Sequence, residues 1–368
     1  MRLRDLGISV GQLEAGALNA ITDVEGVRVG HTTLIEGDGP LVVGRGPVRT
    51  GVTVIIPHEG IARAPLFAGC HRLNGNGELT GLEWVRESGT LTTPIAITNT
   101  HSVGIVRDTL ALTDAAHHAK HGSYWSLPVV GETYDGTLND INGGHVRPEH
   151  VHEALANASG GPVEEGNIGG GTGMISHEFK GGIGTASRRL GHAEGGWTVG
   201  ALVQANHGDR SRLTVDGVPV GREIGTDVVP SPSEVPRDAG SIIVVLATDA
   251  PLLPHQCERL AQRAGLGIAR AGGAGAHSSG DLFICFSTGN RGRLRSYKDE
   301  LQSPTVTVDM VPDPAITPLF WAAIESTEEA ILNALCAAET MTGRDGITAQ
   351  ALPHDRLVEV MARYRPTS

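Results

Sequence analysis

Short apolar runs, rich in β-branched residues, recur along the chain between glycine-rich turns: Val52 to Ile56, Ile95 to Thr98, Val199 to Gln204, Ser241 to Ala247 and Leu282 to Phe286. Runs of this length and composition predict strands of a sheet interior. Helical spacing alternates with them less regularly. One helix is predicted from Pro254, a good first-turn residue, with Cys257, Leu260, Ala261 and Ala264 on one face. Another is predicted to start at Ser326, with Glu329 at capping-box spacing, and to run through Ile331, Leu332 and Leu335. A last helix is expected after Pro353, with Leu357, Val360 and Tyr364 turned inward. No internal repeat of fixed period accompanies these elements.

Composition narrows the picture. A chain of 368 residues with 39% hydrophobic residues can build a sizeable core, in one large or two ordinary domains. Aromatic residues make up only 4%, so Val, Ile, Leu and Ala must fill the interior, which suits strands and helices packed in layers. The 51 glycines show no collagen period and imply tight turns and close backbone approaches. A net charge of −12 with dispersed Lys and Arg argues against nucleic acid, which is bound by concentrated positive charge. Cys70, Cys257, Cys285 and Cys336 are too far apart for a zinc knuckle or redox pair and read as reduced, mostly buried thiols. No stretch reaches the ~18 apolar residues of a membrane span, and the N-terminal stretch lacks a long apolar segment. A cytoplasmic protein without membrane contact is expected.

Several features suggest chemistry and do not sustain it. The cluster "GNIGGGTGM" (Gly166 to Met174) has no Gly-Lys-Ser/Thr ending and no strand–GxGxxG–helix frame, so it reads as closely packed backbone near the active site or a strand. His117, His118, His121, His145, His150 and His152 include no HExxH pattern and fit solvated faces, so no metal is expected. "NGNGE" from Asn74 reads as a turn.

The segment "GTDVVPSPSEVPRDAG" (225 to 240) is a linker in composition, its prolines favouring an extended, exposed path, and it ends at Ser241, the head of a predicted buried strand. By composition alone this is a surface loop. Its chemistry allows more. If the Gly240–Ser241 bond were broken, Ser241 would carry a hydroxyl and an α-amine of reference pKa ~7.7–8.0, nucleophile and base on one residue. The same hydroxyl can make the cut by attacking the Gly240 carbonyl, and a glycine there leaves that carbonyl approachable and tolerates a strained backbone.

Six stretches carry a likeness in the same order: "TNTHSVG" from Thr98, "ETYDG" from Glu132, "EEGNIGGGTGM" from Glu164, "FKGGIGTASR" from Phe179, "GSIIVVLATDAPLLPHQ" from Gly240 and "SSGDLFICFST" from Ser278. Together they resemble the family of L-aminopeptidase D-amidase/D-esterases and β-peptidyl aminopeptidases, from about Gly26 to the C-terminal helix. The resemblance implies an α+β, four-layer αββα sandwich of the N-terminal-nucleophile kind, split at Gly240–Ser241 into residues 1–240 and 241–368, both woven into one folded unit. It implies Ser241 as nucleophile, Ser279 and Asp281 beside it on the proton path, and Asn206 as oxyanion donor. Glu132 would hold the substrate's free amino group, and Tyr134 would line the same site; Ser278 is assigned no role. No cofactor is implied. The expected substrate is a small peptide, amide or ester with a free amine, and the expected assembly is a tetramer of processed units. Two other readings stay open: an acyltransferase using the same acyl-enzyme, and a non-enzymatic small-molecule-binding or scaffold protein in which Gly240–Ser241 is only a turn.

Overall fold

The computed structural model describes residues 1–118, 124–233, 239–295 and 303–364. Its strands are β1 (Arg28–Glu36), β2 (Val48–Ile56), β3 (Leu66–Gly75), β4 (Thr90–Leu91), β5 (Ile95–Asn99) and β6 (Val129–Thr133) in the first part of the chain. There follow β7 (Ile175–Ser176), β8 (Phe179–Lys180), β9 (Gly182–Arg189), β10 (Thr198–Asn206), β11 (Ala239–Thr248), β12 (Ser278–Ser287), β13 (Met341–Thr342) and β14 (Thr348–Ala349). The helices are α1 (Leu82–Ser88), α2 (Val103–His117), α3 (Pro148–Ala156), α4 (Val220–Glu223), α5 (Pro254–Arg270), α6 (Thr317–Ala337) and α7 (His354–Tyr364).

Two sheets stack face to face. One runs β1, β2, β5, β6; the other runs β4, β3, β12, β11, β10, β9. Within the larger sheet β11 pairs antiparallel with β10 and parallel with β12. Helices α5 and α6 cover the outer face of the larger sheet, and α2 and α3 that of the smaller. This is the expected αββα sandwich.

The period of two along each strand explains the layering. On β11, Ile242, Val244 and Leu246 pack toward α5 and α6 with Leu260, Ala264 and Leu319. Ile243, Val245 and Ala247 point the other way, into the space between the sheets, with Ile55, Ile95 and Ile97. A third core joins Val52, Val54, Ala96 and Val130 to Val106 and Leu110 of α2 and to Val151 of α3. Strands buried on both faces read as unbroken apolar runs, which is why the sequence shows them so clearly.

The glycine cluster is a wedge between the sheets, as close packing predicts. A Cβ on Gly170 would stand 2.2 Å from Gln204 Oε1 and 2.7 Å from the Ile97 carbonyl, so only hydrogen fits. All four cysteines are buried and free. Among the described residues no helix is long and apolar enough to cross a membrane.

Three expectations need correction. Ser326 caps nothing: α6 begins at Thr317, and Ser326 lies buried inside it, donating back to the Ala323 carbonyl at 3.3 Å. Glu329 instead accepts from Arg4 (2.7 Å), Asn19 (2.6 Å) and Arg188 (2.6 Å), a buried network that ties the N-terminal segment to α6. Tyr364 is half exposed, its hydroxyl donating to Glu223. Finally, β11 starts at Ala239 and not at Ser241, because the parallel ladder with β12 already pairs Ala239 with Ser278 and Gly240 with Ser279. Residues 234–238 of the linker, Pro236 among them, and His121 lie outside the described residues.

Candidate active site

The site forms where the ends of several strands meet at one edge of the sandwich. Ser241 lies near the head of β11, opposite Asn206 at the end of β10 and Gly280 on β12. Its hydroxyl donates to the Gly240 carbonyl oxygen at 2.7 Å, and the Gly280 N–H donates to Ser241 Oγ at 3.2 Å. The Gly240–Ser241 peptide is therefore held extended between two neighbouring strands, with the serine oxygen beside the preceding carbonyl. Gly240 is not among the positive-φ glycines, so the strained backbone that the sequence allowed is not found. Glycine is needed there for space, since a Cβ would come within 2.9 Å of His207 Cα and 3.0 Å of the Asn206 carbonyl. Burial pushes the His207 imidazole down to about 3, so a neutral ring backs Gly240.

Ser241 opens into a cavity of about 670 Å³ lined from both sheets, by Glu132 and Tyr134 on one side and by Asn206, Gly240 and Ser278 on the other. Glu132 is the next-to-last residue of β6 and is 3% exposed. Its Oε1 accepts the Glu78 N–H at 3.0 Å, and its other oxygen accepts the Thr100 hydroxyl. Burial raises its pKa, and the Thr100 and Glu78 hydrogen bonds oppose that rise. This is a desolvated carboxylate facing a cavity, a suitable seat for an ammonium group. Tyr134 is half exposed at the cavity wall.

Asn206 is fixed at both ends of its amide. Oδ1 accepts the Ile175 N–H at 2.8 Å, and Nδ2 donates to the Tyr134 carbonyl at 3.0 Å. The flipped amide would set donor against donor and acceptor against acceptor, so this orientation is determined. One Nδ2 hydrogen remains for a ligand.

Ser279 and Asp281 are joined to each other, Ser279 Oγ donating to Asp281 Oδ1 at 2.6 Å. Burial raises the Asp281 pKa; Ser279, Asn74 and the Ile242 N–H hold it back. Alternation along β12 turns both side chains to the helix side with Phe283, where they line a neighbouring cavity of about 860 Å³ that also reaches Gly240. Ser278, which the sequence left without a role, is the serine that shares Ser241's cavity. Ser279 and Asp281 thus flank the Gly240–Ser241 peptide from the opposite face of the sheet.

Thr100, Glu78 and Ile175 were not singled out in the sequence, and nothing about a threonine, a glutamate beside a turn or an isoleucine at the head of β7 marks them there. Lys180 is a further omission: fully buried, it donates to the carbonyls of Met174 and Gly181 at 2.8 Å each and of Gly171 at 3.3 Å. Burial pushes its pKa down to about 7, against the pull of Asp135. Among the described residues no group of three or more His, Cys, Asp or Glu gathers to hold a metal ion.

Known proteins resemble the chain over nearly its whole length. The model of peptidase family S58 matches residues 19–349. The β-peptidyl aminopeptidase of Sphingosinicella microcystinivorans is 48% identical over 374 residues, covering 99% of this chain and 92% of that protein. A Burkholderia β-aminopeptidase structure superposes with a TM-score of 0.93 at 54% identity, covering 100% of both chains. The L-aminopeptidase D-Ala-esterase/amidase of Ochrobactrum anthropi, described as a prototype of the serine aminopeptidases and a variant of the Ntn-hydrolase fold, superposes with a TM-score of 0.88 at 46% identity, covering 99% of this chain and 98% of that one. The chain is accordingly a self-processing serine aminopeptidase or amidase of the N-terminal-nucleophile type, working through an acyl-enzyme. It belongs to peptidase family S58.

Proposed function

We propose that the chain cuts itself between Gly240 and Ser241, leaving residues 1–240 and 241–368 in one folded unit, and that Ser241 then releases N-terminal residues from short peptides, amides or esters. The observation that carries this reading is the Ser241 hydroxyl, 2.7 Å from the Gly240 carbonyl oxygen and opening into the cavity that holds Glu132 and Asn206. In the cut, Ser241 Oγ bonds to the Gly240 carbonyl carbon, the C–N bond breaks, and the released nitrogen takes up the hydroxyl proton. Water then hydrolyses the ester, giving a Gly240 carboxylate and a free Ser241 amine.

In turnover the amine accepts the Ser241 hydroxyl proton as Oγ attacks the substrate carbonyl, then passes it to the leaving group. The free Nδ2 hydrogen of Asn206 meets the developing oxyanion, where its fixed orientation costs no reorganisation. Glu132 receives the substrate's ammonium group, which selects against N-blocked compounds. Tyr134 lines the same pocket. Asp281, steadied by Ser279, lies on the far side of the ladder and favours the charged form of the new amine. Relatives named for β-peptides support substrates that include β-amino residues. A tetramer of processed units and a cytoplasmic location complete the proposal.

Ser241→Ala tests it: the variant should remain one chain and hydrolyse nothing, whereas an active alanine variant overturns the assignment.

A further inference from the structure

Lys180 has no role in the chemistry above, yet it is fully buried, and its ammonium hydrogens meet three backbone carbonyls. A neutral amine has only two hydrogens to offer, so the three acceptors match the cation. Asp135, the acid that pulls on it electrostatically, is itself engaged by Asn99 (3.0 Å) and Asn139 (3.1 Å). The charge is thus directed mainly into peptide groups.

One of those groups leads to the active site. Lys180 Nζ donates to the Met174 carbonyl at 2.8 Å, and the N–H at the other end of the same peptide unit, that of Ile175, donates to Asn206 Oδ1 at 2.8 Å. A cation on the carbonyl withdraws electrons through the amide and strengthens its N–H as a donor; that donor in turn polarises the Asn206 amide. We propose that Lys180 is a positioning residue for Asn206, holding it through the Met174–Ile175 peptide so that Nδ2 faces the oxyanion and donates more strongly. The inference rests on the assignment of Asn206 as oxyanion donor.

A double-mutant cycle separates the two. Lys180→Met and Lys180→Gln are made in the wild type and in Asn206→Ala, and kcat and KM are measured on the processed enzymes with one amide substrate. Folding is followed by circular dichroism. Each lysine variant should lower kcat roughly 10- to 100-fold, the factor of one charge-assisted hydrogen bond, with KM little changed. In the Asn206→Ala background the same changes should cost less than about twofold, because the group acted upon is gone. An equal loss in both backgrounds, or failure of both lysine variants to fold, makes Lys180 merely structural and overturns the proposal. Full kcat in Asn206→Ala alone would remove the oxyanion assignment, and the proposal with it.

Discussion

Asn206 stands directly opposite Ser241 across the antiparallel pair β10 and β11. Both line the same cavity, and the asparagine amide is held by Ile175 and Tyr134 with one hydrogen to spare. Asn206→Ala should therefore lower kcat by ~10²–10³-fold, the usual cost of one oxyanion donor, while KM changes little. Steady-state kinetics on the processed enzyme checks this. A loss confined to KM would place Asn206 in ground-state binding.

Glu132 gives a pH dependence of known sign. Burial raises its pKa, so the carboxylate needed to hold an ammonium is lost at a higher pH than for an exposed glutamate. KM for a free-amine substrate should rise as pH falls through that range, and Glu132→Gln should abolish this limb and raise KM by roughly 10- to 100-fold. N-acetylated substrates should be poor for both enzymes. A pH profile of KM that survives Glu132→Gln would assign the titration to another group.

Gly170 tests the packing between the sheets. Its missing Cβ leaves room for Gln204 Oε1 and for the Ile97 carbonyl, and the latter, being backbone, does not swing away. Gly170→Ala should cost ~1–3 kcal/mol. The urea midpoint would fall without a change of slope. An unchanged midpoint would mean that the wedge is looser than described.

The legible and illegible parts of this molecule differ for a physical reason. Strands β10, β11 and β12 are buried on both faces, so their apolar runs stand out, and α5 carries its stripe of Cys257, Leu260, Ala261 and Ala264 into the core as the spacing predicts. Within α6, Ser326 and Glu329 imitate the spacing of a cap, while the acid in fact answers Arg4 and Arg188 from distant parts of the chain. At the site, chemistry and resemblance pointed to Gly240, Ser241 and Asn206, and the structure brings these three to one cavity. That Ser278 rather than Ser279 shares Ser241's cavity depends on strand register, which two adjacent serines do not reveal. Lys180 was hidden for a different reason: its acceptors are carbonyls, which every residue possesses.

The account turns on whether Ser241 becomes a chain start, and the most direct measurement is a time course of denaturing intact mass on freshly synthesised protein, with peptidase activity assayed in parallel. Two fragments meeting at Gly240–Ser241 should accumulate, and activity should rise in proportion to them. Full activity in a polypeptide that stays whole would contradict it.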